Sequence, residues 1–159
     1  MSRRRKTRVE NIRHCGDGEH AVVSLLSEAT GKGWNRREPC DQCPWRADLP
    51  TGVFPAEAFR ISANTAYDAS FNTFACHVTG SEKPATCAGF LLKNADNNLG
   101  VRIAAMRGDI KRPITDGGFP LYDSYRAMAE ANGVAPDDPV LADCRGNHDS
   151  YRRPKRGKR

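Results

Sequence analysis

The chain has 159 residues, 38% of them hydrophobic and 8% aromatic, and a formal net charge of +6. This length points to one domain, lean in apolar residues yet too rich in them for wholesale disorder. No apolar run approaches the ~18 residues of a membrane helix, and the basic start, Met1 to Glu10, leads into no apolar stretch of the secretory kind, so a cytoplasmic protein without membrane partners is expected.

Residues 1–13 read as a flexible basic arm carrying Arg3, Arg4, Arg5, Lys6 and Arg8. From His20 to Thr30, Val22, Leu25, Leu26 and Ala29 recur at helical spacing, with a short strand over Ala21 to Leu26 as the competing reading. Residues 31–52 are rich in glycine, proline and charge and read as loop. Pro55 suits the first turn of a helix running to about Ala66. Phe71 to His77 reads as an extended piece delivering Cys76. After a turn at Gly80 to Pro84, Thr86 is placed to cap a helix from Cys87 to Ala95. Further helices are expected from about Asn98 to Arg107 and around Leu121, Tyr125 and Met128, the latter stopped by Gly133. The remainder is irregular and ends in Arg152, Arg153, Lys155, Arg156, Lys158 and Arg159. The expected fold is a mainly α, small, loop-rich single domain over residues 14–148, organised around a metal site, between the arm 1–13 and a basic disordered tail 149–159. An α+β fold with a short strand or hairpin is the alternative.

The charge is unevenly spread. Setting aside the eleven basic residues at the two ends leaves 14 basic against 19 acidic ones, a net of −5. Basic ends of this kind add sequence-independent affinity for phosphates, so Arg3, Arg4, Arg5, Lys6, Arg152, Arg153, Lys155, Arg156, Lys158 and Arg159 are the candidate contacts to DNA or RNA. The plainer reading is that they keep the protein soluble.

Six cysteines in a reducing compartment argue for metal or redox use before structural disulfides. Cys40 and Cys43 form a C-x2-C pair, the spacing at which one tight turn offers two thiolates to a metal. Cys76 and Cys87 supply a second, split pair, with His77 as an alternate ligand. The competing explanations are four unligated buried thiols or a C-x-x-C redox pair. A closed zinc site is favoured because zinc is the commoner occupant of small structural sites, with a 4Fe–4S cluster as the alternative. Trp45 and Arg46 are expected around the ligands, Arg46 to offset the negative charge of the thiolates. His14, Cys15, His20, Cys144 and His148 form a weaker second candidate set, provided the two ends of the domain meet.

The run Pro39-Cys40-Asp41-Gln42-Cys43-Pro44-Trp45-Arg46, then Phe54-Pro55, Phe74-Ala75-Cys76-His77 and Cys87-Ala88-Gly89-Phe90-Leu91, resembles an uncharacterised family of small cysteine-containing proteins of actinobacteria and their bacteriophages. The resemblance covers about residues 38–108. It implies a compact cysteine-centred domain in a bacterial or phage-infected host cytoplasm, with Cys40, Cys43, Trp45, Arg46, Cys76, His77 and Cys87 as its motif positions, and it implies no activity.

Nothing else points to catalysis: there is no phosphate loop and no nucleophile elbow. The expected function is therefore a non-enzymatic metal-binding module contacting nucleic acid or a nucleic-acid-bound partner. An iron–sulfur protein with a redox-sensing or enzymatic role is one alternative. A phage-encoded binder of a host protein, using the acidic body or the helix around Tyr122 to Ala131, is the other.

Overall fold

The computed structural model describes residues 7–27, 35–79 and 84–147. The chain opens with two antiparallel strands, β1 (Thr7–His14) and β2 (Ala21–Ser27), registered from His14 opposite Ala21 to Thr7 opposite Ser27 with an irregularity between Val9 and Asn11. The turn between them is built by Asp17, whose carboxylate accepts the N–H groups of Glu19 (3.1 Å) and His20 (3.0 Å). The hairpin corrects two expectations. The helix expected over His20 to Thr30 is replaced by the competing strand over Ala21–Ser27, and residues 28–30 lie outside the described residues. Residues 7–13, read as part of an arm, are that strand's partner. Helical spacing is a weak prior when a neighbouring segment can pair one whole edge of a valine-containing run. Residues 1–6 lie outside the described residues.

Among the described residues, four short helices follow: α1 (Ala56–Ser62), prolonged by a 3-10 turn over Ala63–Ala66, α2 (Ala88–Lys93), α3 (Leu99–Met106) and α4 (Tyr125–Ala131). Their starts follow local chemistry. Pro55 precedes α1. The Asn98 side chain accepts from the Val101 N–H (3.0 Å), and that of Ser124 accepts from Ala127 (3.2 Å), each satisfying a donor the helix leaves over. For α2 the cap position is Cys87, not Thr86, and no side chain caps it. Leu121 lies outside α4 and is bridged instead to Arg46. A second 3-10 turn spans Pro139–Leu141.

The core gathers around Trp45, Phe90, Tyr125 and Met128, all fully buried. Trp45 meets Phe74 edge-on at 6.0 Å and Tyr125 at 6.1 Å, the arrangement that ring quadrupoles favour. The contact explains Gly89, since a Cβ there would stand 2.6 Å from the Trp45 Cβ, so α2 can sit on the indole only without a side chain. Asn98, itself buried, also donates to the carbonyls of Thr65 (3.2 Å) and Asn72 (2.7 Å), tying α3 to the core. Beside the core lies a short three-segment ladder. Cys76 N–H donates to Ala85 (2.7 Å), Cys87 N–H to Phe74 (2.8 Å) and Arg36 N–H to Thr86 (2.9 Å).

Candidate metal centre

The ladder and the loop before Trp45 bring four cysteines into one region. Cys40 and Cys43 sit on a tight turn in which Cys43 N–H donates to Cys40 C=O (3.1 Å) and Arg46 N–H to Cys43 C=O (3.0 Å). Cys76 comes from one ladder segment, and Cys87 from the next, just as α2 begins. All four thiols are free and buried, none more than 6% exposed. The sulfurs of Cys43 and Cys87 stand 3.6 Å apart. Thiol interactions also tie Cys40 to Cys43 and to Cys76. The four are thus linked pairwise, in the order Cys76, Cys40, Cys43, Cys87. Among the described residues, no three or more His, Cys, Asp or Glu side chains are already gathered so that they could hold an ion as they stand.

Backbone amides are directed at these sulfurs: those of Gln42 at Cys40, Trp45 at Cys43, and Val78 and Thr79 at Cys76. Each such N–H favours the thiolate. Against them, the hydrogen bond from Cys43 raises the Cys40 thiol most, with burial adding to it and Cys76 opposing. The hydrogen bond from Cys40 lowers Cys43, but its contact with Cys87 and its burial outweigh this and push the thiol up to about 12. Cys76 is raised by its hydrogen bond with Cys40 and by burial. With protein groups alone, then, Cys40, Cys43 and Cys76 are all pushed towards the thiol form, because a buried thiolate beside other sulfurs has no positive charge to answer it.

The neighbours divide. Trp45 is buried against the aromatic cluster, and its indole N–H has no partner among the described residues. Arg46, expected to offset thiolate charge, is held by the Asp48 carboxylate at 2.9 and 2.7 Å and lies 3.6 Å over the Phe119 ring. His77 is exposed and turned away, edge-on to Phe54 at 4.8 Å. Adjacent residues of an extended segment project oppositely, so Cys76 goes inward and His77 outward. Burial, and then the charge of nearby His20, lower the His77 pKa.

The second candidate set is split between elements. His14 ends β1, Cys15 is buried beneath the hairpin turn with its N–H on the His20 carbonyl (2.8 Å), and the His20 ring is 2.7 Å from Asp17. Cys144 instead follows the last 3-10 turn, its thiol near the carbonyls of Ala63 (3.8 Å) and Val140 (3.7 Å), and burial raises its pKa to about 11. His148 lies outside the described residues, as do the basic residues Arg3 to Lys6 and Arg152 to Arg159. Among the described residues, no helix is long and apolar enough to cross a membrane.

Sequence reasoning named the four sulfurs but not the Val78 and Thr79 amides around Cys76. A turn following an extended cysteine is the signal that could have found them.

Residues 35–145 match a family of unknown function (DUF6283). That span takes in all four cysteines and omits the hairpin. No curated protein matches the chain, and no solved structure matches it.

Proposed function

The chain belongs to this family, and from that premise we propose that Cys40, Cys43, Cys76 and Cys87 hold one zinc ion whose role is to stabilise the fold. The observation that carries the reading is the meeting of four buried, free thiols from separate stretches of chain at one edge of the core. The donor set suits the ion. In a tetrahedral site with Zn–S of about 2.3 Å, neighbouring sulfurs stand about 3.8 Å apart, close to the 3.6 Å between Cys43 and Cys87. In a 4Fe–4S cluster each thiolate binds a different iron, which holds the sulfurs outside contact, so the same distance favours a mononuclear site. The amides aimed at Cys40, Cys43 and Cys76 would share the negative charge of the bound thiolates. Bound there, zinc supplies the positive charge the sulfurs lack. With four protein ligands it leaves no open position for catalysis, so we read the protein as a structural module.

The partner we propose is nucleic acid, contacted through the basic ends, in a bacterial or phage-infected cytoplasm. The charge layout supports this: eleven cations outside a body of net −5.

Elemental analysis of protein purified without oxygen tests the first part: one zinc per chain is expected, whereas iron with inorganic sulfide, or no metal at all, overturns it. For the second, affinity for DNA or RNA should fall steeply with salt, and removing both basic ends should flatten that slope. Full-length protein that binds neither at low salt refutes the nucleic-acid reading and leaves the metal reading standing.

A further inference from the structure

A cleft of about 270 Å³ opens on the far side of the ladder from Ala85–Cys87, between α1 and residues 72–77. Its apolar walls are Phe54, Phe59, Ile61 and Phe74. Its polar groups are distinctive. The ladder bonds run from Phe74 C=O and Cys76 N–H towards Ala85–Cys87, so the N–H and C=O of Ala75 between them turn the other way. Ala75 lines the cleft, and neither of its backbone groups is hydrogen-bonded among the described residues. The side-chain amides of Asn64 and Asn72, also in the lining, make no hydrogen bond among the described residues either. His77 and Phe54 stand edge-on at the mouth.

We propose that this cleft binds the hydrogen-bonding edge of a planar nitrogen heterocycle, as a nucleobase presents it. A donor and an acceptor from one residue, side by side, match a ring nitrogen next to an exocyclic amine, the pattern of adenine and cytosine. The apolar walls and the half-buried rings of Phe54 and Phe74 suit a flat ring, and the volume suits one nucleoside. Ala75 lies between Thr73 and His77, whose backbone groups are likewise without a hydrogen bond among the described residues, so an added peptide strand is the competing occupant that the test must separate. Among the described residues no lysine or arginine lines the cleft, so the polar groups seen there match a base and not a phosphate. The site does not depend on the metal reading.

The base could arrive as a free nucleoside or in a single strand. Saturation-transfer NMR on the full-length protein separates these, using adenosine, cytidine and short single-stranded oligonucleotides as probes. Binding of adenosine or cytidine points to a free ligand, and binding of oligonucleotides alone points to a strand. Ala75→Pro removes the free N–H at a position where the ladder uses no amide, and should weaken binding about tenfold, as expected for one lost hydrogen bond. Ile61→Trp fills the cleft and should abolish binding. An unchanged melting profile and metal content show that each variant is folded. If Ala75→Pro fails to fold, Ile61→Trp decides. The proposal is overturned if no probe binds at millimolar concentration, if binding survives Ile61→Trp, or if a blocked tetrapeptide binds in place of the nucleosides.

Discussion

The hairpin and the cysteine-bearing body stabilise themselves in opposite ways. The hairpin has the longest regular pairing among the described residues, seven registered pairs, yet it meets the body chiefly where β2 touches α1. The body has helices of six to eight residues and ladder segments of a few bonds each, but it contains Trp45, Phe90, Tyr125, Met128 and the four inward thiols. A two-stranded ribbon is marginal alone, and helices this short do not stand alone in water. Regular hydrogen bonding therefore says little here about where stability resides. It resides in side-chain burial around Trp45 and, on our reading, in a bound ion. The family match follows the same division, covering residues 35–145 and leaving the hairpin out.

The largest test of this contrast is at the sulfurs. Cys43→Ser and Cys87→Ser should each abolish stoichiometric metal and cooperative unfolding together, since binding energy at a structural zinc site is folding energy. Elemental analysis with thermal melting reads both, and a variant that keeps full metal and a sharp melt would mean that another residue supplies the ligand. Next come the packing changes. Trp45→Ala should cost about 3–5 kcal/mol and Gly89→Ala about 1–3 kcal/mol by denaturant titration, the first opening a cavity and the second forcing a methyl onto the indole. Trp45→Phe should recover most of the first loss, because the indole N–H it removes bonds nothing among the described residues.

Deleting residues 1–27 should do far less, lowering the melting midpoint by no more than about 5 °C with metal content unchanged. A collapse of the body would show that the hairpin is integral to it. The smallest effect is electrostatic. Asp138 is bonded to Arg60 (2.8 Å) and to the Val140 N–H (3.0 Å), which hold its carboxyl below the usual 3.8. Its contribution is present above the unfolded-state pKa and is lost as pH falls through the lower folded value. Asp138→Asn should therefore flatten the acid limb of a stability profile and leave the neutral and alkaline parts parallel to the parent.

Much of the local structure was legible because local chemistry fixes it. Pro55 and Asn98 each stand just before a helix, where proline geometry or a side-chain cap acts within one turn, whereas α4 starts at the Ser124 cap and not at Leu121, where residue spacing places it. Gly133 follows α4 at a φ of 95°, a conformation that favours glycine. The hairpin was not legible, because the spacing in His20 to Thr30 fits either period and only the partner over Thr7–His14 decides. The site divides similarly. C-x2-C announces a turn offering two sulfurs, whereas the pairing of Cys43 with Cys87 and of Cys40 with Cys76 depends on how the ladder carries its segments past that turn.

The sequence by itself marked which residues are candidate ligands, where α1 and α3 begin and that charge lies at the two ends. Those properties belong to single residues or to neighbours within a turn. Tertiary structure alone decided that His77 faces Phe54, that Arg46 lies over the Phe119 ring, and that Ala75 leaves its backbone groups unpaired over a cleft among the described residues. Each of those outcomes depends on a segment far along the chain, or on which edge of a ladder is left without a partner, and residue spacing carries no record of either.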